Sequence, residues 1–230
     1  MSIERADDPN RRLTGLVYLA YFVTAIASAI MLSHSQSSVT HEPYALGDNG
    51  LYQAAISVEL LSNLLYVTLT VMFLRLTSSA GRTLALVVAA MSFAGCGIQL
   101  AAQLFELLPI ALAKHPLLHD VLTPDSASAV SSHALALHSQ ALFLALVCFG
   151  FYNCGLATLL RRASLVPRWS SSLLLLSGLG WLLFLWPPLA VSLRVVVLPV
   201  GMLAELGVMA CLLVGRGPSE PQGDNLPTAA

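Results

Sequence analysis

The stretch Val195 to Gly215, VVVLPVGMLAELGVMACLLVG, decides the fold class. It is apolar or small throughout except for one acid at its centre, Glu205. At ~1.5 Å of rise per residue, a helix of this length crosses a hydrocarbon core of roughly 30 Å. Five more runs of the same kind precede it, at Leu13 to Ser33, Leu51 to Leu74, Thr83 to Leu112, Ala134 to Leu160 and Ser170 to Trp186, the last of them short and stopping at Pro187-Pro188. All six runs are continuous, whereas the strands of a membrane barrel alternate apolar and polar residues over about 10 positions. The composition excludes a soluble globule, because 57% of the 230 residues are hydrophobic and only 10% charged. A soluble domain carries roughly 25% charged residues. Mean hydropathy is +0.77, and a formal net charge of −1 provides no basic face for nucleic acid. The sequence therefore predicts an all-α, polytopic membrane bundle of six transmembrane helices. Residues 1–12 read as a cytoplasmic N-terminal segment and 13–216 as the transmembrane domain. Residues 217–230, rich in Pro, Gly and small polar side chains, read as a disordered cytoplasmic tail.

The bases set the orientation. With the N-terminus inside, Arg5, Arg11, Arg12, Arg75, Arg82, Arg161, Arg162, Arg168 and Arg216 fall on one side, and Lys114 and Arg194 on the other. This excess predicts both termini in the cytoplasm, with the segments His34 to Gly50 and Ala113 to Ser132 outside. The first run follows an Arg pair and is about 20 residues long, so it reads as a retained anchor rather than a signal peptide cleaved near Ala27-Ser28-Ala29. No internal repeat stands out.

Ionisable side chains at membrane depth cost roughly 2.5–3.5 kcal/mol each on insertion scales, so they face a bundle interior and find partners. Three glutamates occur in the runs: Glu205 at the centre of the sixth, Glu59 in the outer half of the second and Glu106 near the outer end of the third. Glu59, Asn63, Tyr66 and Thr70 recur at helical spacing and share one face. Ser92, Cys96, Gln99, Gln103 and Glu106 do the same in the third run, and His138 with Phe149 and Tyr152 mark a face of the fourth. These depths predict one shared cluster of Glu59, Gln99, Gln103, Glu106, His138 and Glu205, open toward the outside, with Arg194 placed to pair with Glu106. Asn63, Tyr66, Gln99 and Gln103 read equally well as interhelical glue, worth about 0.6 kcal/mol each. The glutamates are harder to read that way, since an amide would make the same bonds without an ionisation cost. A carboxyl in a low-dielectric site favours its neutral form and is then able to donate a proton.

All six histidines, His34, His41, His115, His119, His133 and His138, fall on the expected outer side. A metal pair at His115 and His119 with Asp120 is disfavoured by Pro116 between them. Haem ligation lacks a second histidine on a facing helix. Neither a metal nor a cofactor is expected. Cys96, Cys148, Cys154 and Cys211 all lie in spans without ligand spacing and read as packing residues. No phosphate-binding glycine loop, nucleophile elbow or HExxH motif is present.

The run Phe149 to Trp181, FGFYNCGLATLLRRASLVPRWSSSLLLLSGLGW, joins an aromatic helix end to a basic turn closing in VPRW and then to a Gly-containing helix. Phe149, Tyr152, Gly155, Arg162, Pro167, Arg168, Gly178 and Gly180 resemble a recurring block of a bacterial family of six-helix membrane proteins, domain of unknown function 4386 (DUF4386). The opening RRLTGLVYLAYF, the Glu59 to Tyr66 face and the Pro199 to Leu206 segment are similar to that family too. The chain departs from it at Ser170-Ser171-Ser172, where the family has a Leu-Gly pair. The resemblance implies a topology and a bacterial inner membrane, and brings no mechanism. The three arginines suit anionic head groups and Trp169 an interface anchor, while Ser177, Gly178 and Gly180 suit close helix contact.

Three functional readings follow. The first is a membrane protein that binds a small or lipophilic ligand through Glu59, Asn63, Tyr66, Gln99, Gln103, Glu106, His138, Tyr152 and Glu205, with proton coupling through the acids. The second is an intramembrane enzyme in which Glu59, Glu205 or His138 acts as general acid on an isoprenoid-like substrate. The third is a structural subunit. The partners expected are the lipid bilayer and that ligand, with a homodimer open and nucleic acid excluded.

Overall fold

Hydrocarbon offers peptide groups no hydrogen-bond partner, so a spanning segment must satisfy its own backbone, and a continuous helix does so. The computed structural model describes residues 9–38, 43–114 and 122–214. Its six α-helices are α1 Pro9–Ser38, α2 Gly50–Thr77, α3 Arg82–Lys114, α4 Pro124–Arg162, α5 Arg168–Leu182 and α6 Pro187–Val214. Short 3-10 turns lie at Pro43–Asp48, Ser78–Ala80 and Leu183–Leu185, and the described residues include no strand. Six stretches, the fifth made of α5 together with the 3-10 turn that follows it, are apolar and long enough to cross a membrane. α1 runs unbroken through Ala27-Ser28-Ala29.

Several boundaries differ from the sequence expectation: α1 extends to Ser38 and α6 begins at Pro187, eight residues before the expected Val195. α4 begins ten residues before the apolar run, because Thr123 caps it by accepting from the Ser126 N–H and Pro124 occupies the first turn. Pro124 to Ser132, read from its polar composition as part of an outer segment, is therefore helical. His41, His115, Pro116, His119 and Asp120 lie outside the described residues, as do 1–8 and the tail from 215 onward. The fifth span is made of two parts. The 15 residues of α5 cover only ~23 Å. The 3-10 turn at Leu183–Leu185 rises more steeply, at about 2 Å per residue, and supplies most of the missing length. Pro187 then opens α6.

The helices pack on their neighbours in sequence, and α6 returns to α1 to close the ring. At that seam Arg11 Nη2 donates to the Cys211 carbonyl at 2.8 Å, satisfying an otherwise orphaned group in the last turn of α6. Tyr18, Phe22, Tyr66, Phe73, Phe149, Tyr152 and Leu212 belong to one central apolar cluster. α4 and α5 approach backbone to backbone: a Cβ on Gly178 would lie 2.8 Å from the Gly150 carbonyl oxygen and 2.7 Å from Cys154 Sγ. Two of the three serines that follow Trp169 are packed into this corner. Ser170 and Ser171 are fully buried, and Gly207 of α6 lies against Trp169 and Ser170. The four cysteines are free thiols.

The basic turn after α4 is a Schellman motif. The Leu165 N–H donates to the Leu160 carbonyl and the Ser164 N–H to the Arg161 carbonyl, which places Ser164 in the left-handed region at φ 51°. That conformation costs an L-residue about 1–2 kcal/mol. Ser164→Gly is therefore expected to stabilise the protein by about 1 kcal/mol, read as a higher midpoint of thermal unfolding in detergent. Gly178→Ala is expected to cost about 1–3 kcal/mol through overpacking. Gly97→Ala, where an added Cβ meets nothing within 4 Å, is the neutral control.

Candidate functional site

The polar stripes turn inward. On α2 Asn63, Tyr66 and Thr70 are buried and Glu59 is half-buried, and on α3 Ser92, Cys96, Gln103 and Glu106 are buried with Gln99 half-buried. The acids expected in one cluster are nevertheless divided between two layers at different depths.

The first layer lies toward the Lys114 end of α3 and joins α2, α3 and α4 through Glu59, Glu106 and His138. Glu106 is 1% exposed and His138 8%. His138 Nε2 sits 3.3 Å from Glu106 Oε1, and its Nδ1 lies 3.2 Å from the Ala102 carbonyl oxygen. A carbonyl only accepts, so Nδ1 carries the proton and Nε2 is the nitrogen turned toward the carboxyl. Glu59 is the carboxyl neighbour of Glu106. One ligand atom from each of the three residues falls within 4.8 Å of the other two. Behind them the Tyr52 hydroxyl donates to the Glu106 backbone carbonyl at 2.9 Å and pins α2 to α3. Gln103, one turn before Glu106, is buried with its Nε2 unbonded.

The second layer lies toward the Arg162 end of α4 and is built around Glu205, 4% exposed. Tyr18 of α1 and Asn153 of α4 are the polar side chains at its carboxyl, and Tyr21, Tyr66 and Tyr152 stand close by. The Tyr21 and Tyr66 ring centroids are 4.8 Å apart, and those of Tyr66 and Tyr152 6.0 Å. Below this layer Thr70 spends its proton on the Tyr66 carbonyl, so the 2.7 Å bond to Ser92 is donated by Ser92.

Helix arithmetic separates the layers. Tyr66, beside Glu205, is seven residues from Glu59 on α2, and Cys96, beside Tyr21 and Tyr152, is ten from Glu106 on α3. At ~1.5 Å per residue that is about 10–15 Å. The expected Arg194–Glu106 pair falls outside the described side chains, because that of Arg194 is among those left undescribed.

Glu205 also borders a cleft of about 240 Å³ between α1, α5 and α6, walled by Tyr21, Phe22, Ala25, Ala29 and Trp181. Ala29 is exposed, so the cleft opens sideways toward the surface that lipid would cover. Trp181 Nε1 is buried there with no acceptor. Sequence reasoning missed Tyr18, Tyr21, Asn153 and Trp181. The spacing of Tyr18, Tyr21 and Phe22 along α1 was the available signal, but it read as an anchor helix.

A family model described as a domain of unknown function, DUF4386, matches residues 13–215. The chain belongs to the DUF4386 family. No curated protein and no solved structure matches it. If the bond from Tyr52 fixes the first layer, Tyr52→Phe leaves a buried carbonyl lone pair unmet and costs about 1 kcal/mol. Chemical denaturation in mixed micelles checks this.

Proposed function

We propose that this DUF4386 chain is a multi-pass membrane protein that holds a lipophilic ligand with a cationic, hydrogen-bond-donating end in the cleft beside Glu205. The observation that carries the reading is a mid-depth carboxyl opening onto a lipid-side cleft between α1, α5 and α6. A volume of about 240 Å³ is below that of an enclosing pocket, since sites that swallow a drug-sized molecule measure ~300–1,000 Å³. It suits a polar head and the first few carbons, with the rest of the chain lying in the bilayer. The carboxyl and the faces of Tyr21, Phe22 and Trp181 suit a positive head group. An anionic head would meet Glu205 without a compensating base among the described lining residues.

Charge balance links binding to protons. In hydrocarbon the Glu205 carboxylate is neutralised either by a proton or by a cationic ligand, and taking up one releases the other. The Arg-rich side, which includes Arg75, Arg82, Arg161, Arg162 and Arg168, supports termini facing the cytoplasm of a bacterial inner membrane.

The test uses the protein in nanodiscs with Trp169 and Trp186, both lipid-exposed, replaced by Phe, so that Trp181 alone reports. Bromine-tagged dodecylamine is expected to quench Trp181 saturably, and bromine-tagged dodecanoate is not. Glu205→Gln is expected to weaken the amine at least tenfold, about 1.4 kcal/mol, and Ala29→Phe to block it from the lipid side. Equal quenching by amine and acid, unchanged in both variants, would contradict the reading.

A further inference from the structure

The layer of Glu59, Glu106 and His138 lies away from the cleft and is not used by the reading above. Its composition, two carboxylates and one imidazole from three different helices, is that of a divalent metal site. We propose that these three side chains bind one first-row divalent transition-metal ion, of the kind zinc(II) represents.

Geometry is the first argument. Three ligand atoms within 4.8 Å of one another have a common centre no more than about 2.8 Å from each, and contraction by about 0.7 Å, within side-chain reach, gives the ~2.0–2.2 Å of zinc–nitrogen and zinc–carboxylate bonds. The second argument is the orientation of the histidine. Metal-bound imidazoles characteristically donate their other N–H to a carbonyl or carboxylate, which fixes the tautomer and aims the bare nitrogen. His138 is held in that way, with Nδ1 on the Ala102 carbonyl and Nε2 directed at Glu106. A bare nitrogen and a carboxylate oxygen at 3.3 Å repel unless a proton or a metal ion lies between them, and either one would be held at this spot.

Charge is the third argument. Among the described side chains no Lys or Arg pairs with Glu59 or Glu106. Lys114, the cation at that end of α3, donates instead to Gln53 Oε1 at 3.0 Å. Without a metal the two acids need two protons, one shared with His138 and one between the neighbouring Glu59 and Glu106 carboxyls, whereas a single divalent ion neutralises both. Glu106 Oε2 and Glu59 Oε2 are buried oxygens with no hydrogen-bond donor, so each keeps a lone pair for such an ion. Glu106 is nine-tenths buried and more. Three protein ligands leave a coordination position open, as in sites that bind an exchangeable water or ligand rather than in closed structural ones. Imidazole and carboxylate together suit zinc or manganese over calcium, which prefers oxygen alone.

The experiment measures zinc bound to the detergent-purified full chain after equilibrium dialysis, by elemental analysis, together with X-ray absorption of the bound metal. The expected result is one zinc per chain in wild type and at least a tenfold loss of affinity in Glu106→Gln and in His138→Asn. A His34→Asn, His133→Asn double variant keeps the site, which separates it from adventitious binding by outer histidines. The absorption spectrum should show nitrogen and oxygen neighbours at ~2.0–2.2 Å and no sulfur. Zinc should also raise the unfolding midpoint of wild type and leave that of Glu106→Gln unmoved, and metal-free midpoints of both variants near wild type establish that they fold. Glu59→Asp, which keeps the ligand chemistry, replaces any variant that fails to fold and should weaken binding less than Glu59→Gln. No binding by wild type, zinc bound equally by every variant, or sulfur in the first shell would overturn the proposal.

Discussion

Hydrocarbon will not solvate a polar group, and this constraint organises the molecule. Backbone groups are satisfied within helices, and side chains that need partners must find them on the inward faces of those helices. The ring formed by six sequential helices gives each stripe such a face. Leu, Val, Ile and Trp side chains, including Leu104, Val195 and Trp186, are left to the outside. The inward polar residues are then forced onto one another, and what they form depends on depth.

Depth separates the interior into two chemically different layers. Toward the Lys114 end, two carboxyls and an imidazole converge against the buried Tyr52. Toward the Arg162 end, one carboxyl is set among tyrosines and opens sideways through a cleft. Small residues let the layers form. Gly178 and Gly150 bring α4 and α5 together, and Gly201, which a Cβ would drive into the Trp181 indole at 2.7 Å, makes room for the wall of the cleft. Tyr52 locks the position of Glu106 through its backbone, so the acid's place does not depend on its own ionisation.

Much of this was legible in the sequence. Continuous apolar runs settled the helices, and the i, i+4, i+7 recurrence of Glu59, Asn63 and Tyr66 identified a face that is indeed inward. The block from Phe149 to Trp181 pointed to the right family. The merging of Glu205 with Glu59 and Glu106 had a definite cause: a helical wheel fixes which residues of one helix share a face but not the rotation of that helix against another. Counting residues along α2 and α3 separates the layers, but only once Tyr66 and Cys96 are known to stand beside Glu205's tyrosines. The fourth helix was shortened because a capped, polar first turn at Thr123-Pro124 has no hydropathy signal. Glu59, Glu106 and His138 were grouped from the sequence, but their metal-like composition was not read there, because metal motifs are recognised by spacing within one segment and these side chains come from three helices.

The division into two layers is most directly tested by proximity. In a background with Cys96, Cys148, Cys154 and Cys211 replaced by Ala, a membrane-permeant bifunctional thiol reagent of short reach is applied to paired cysteine variants, and cross-linking is read by mass spectrometry. The account predicts an efficient cross-link for Glu59→Cys with Glu106→Cys and none for Glu59→Cys with Glu205→Cys. Cross-linking of the second pair as efficiently as the first would contradict it.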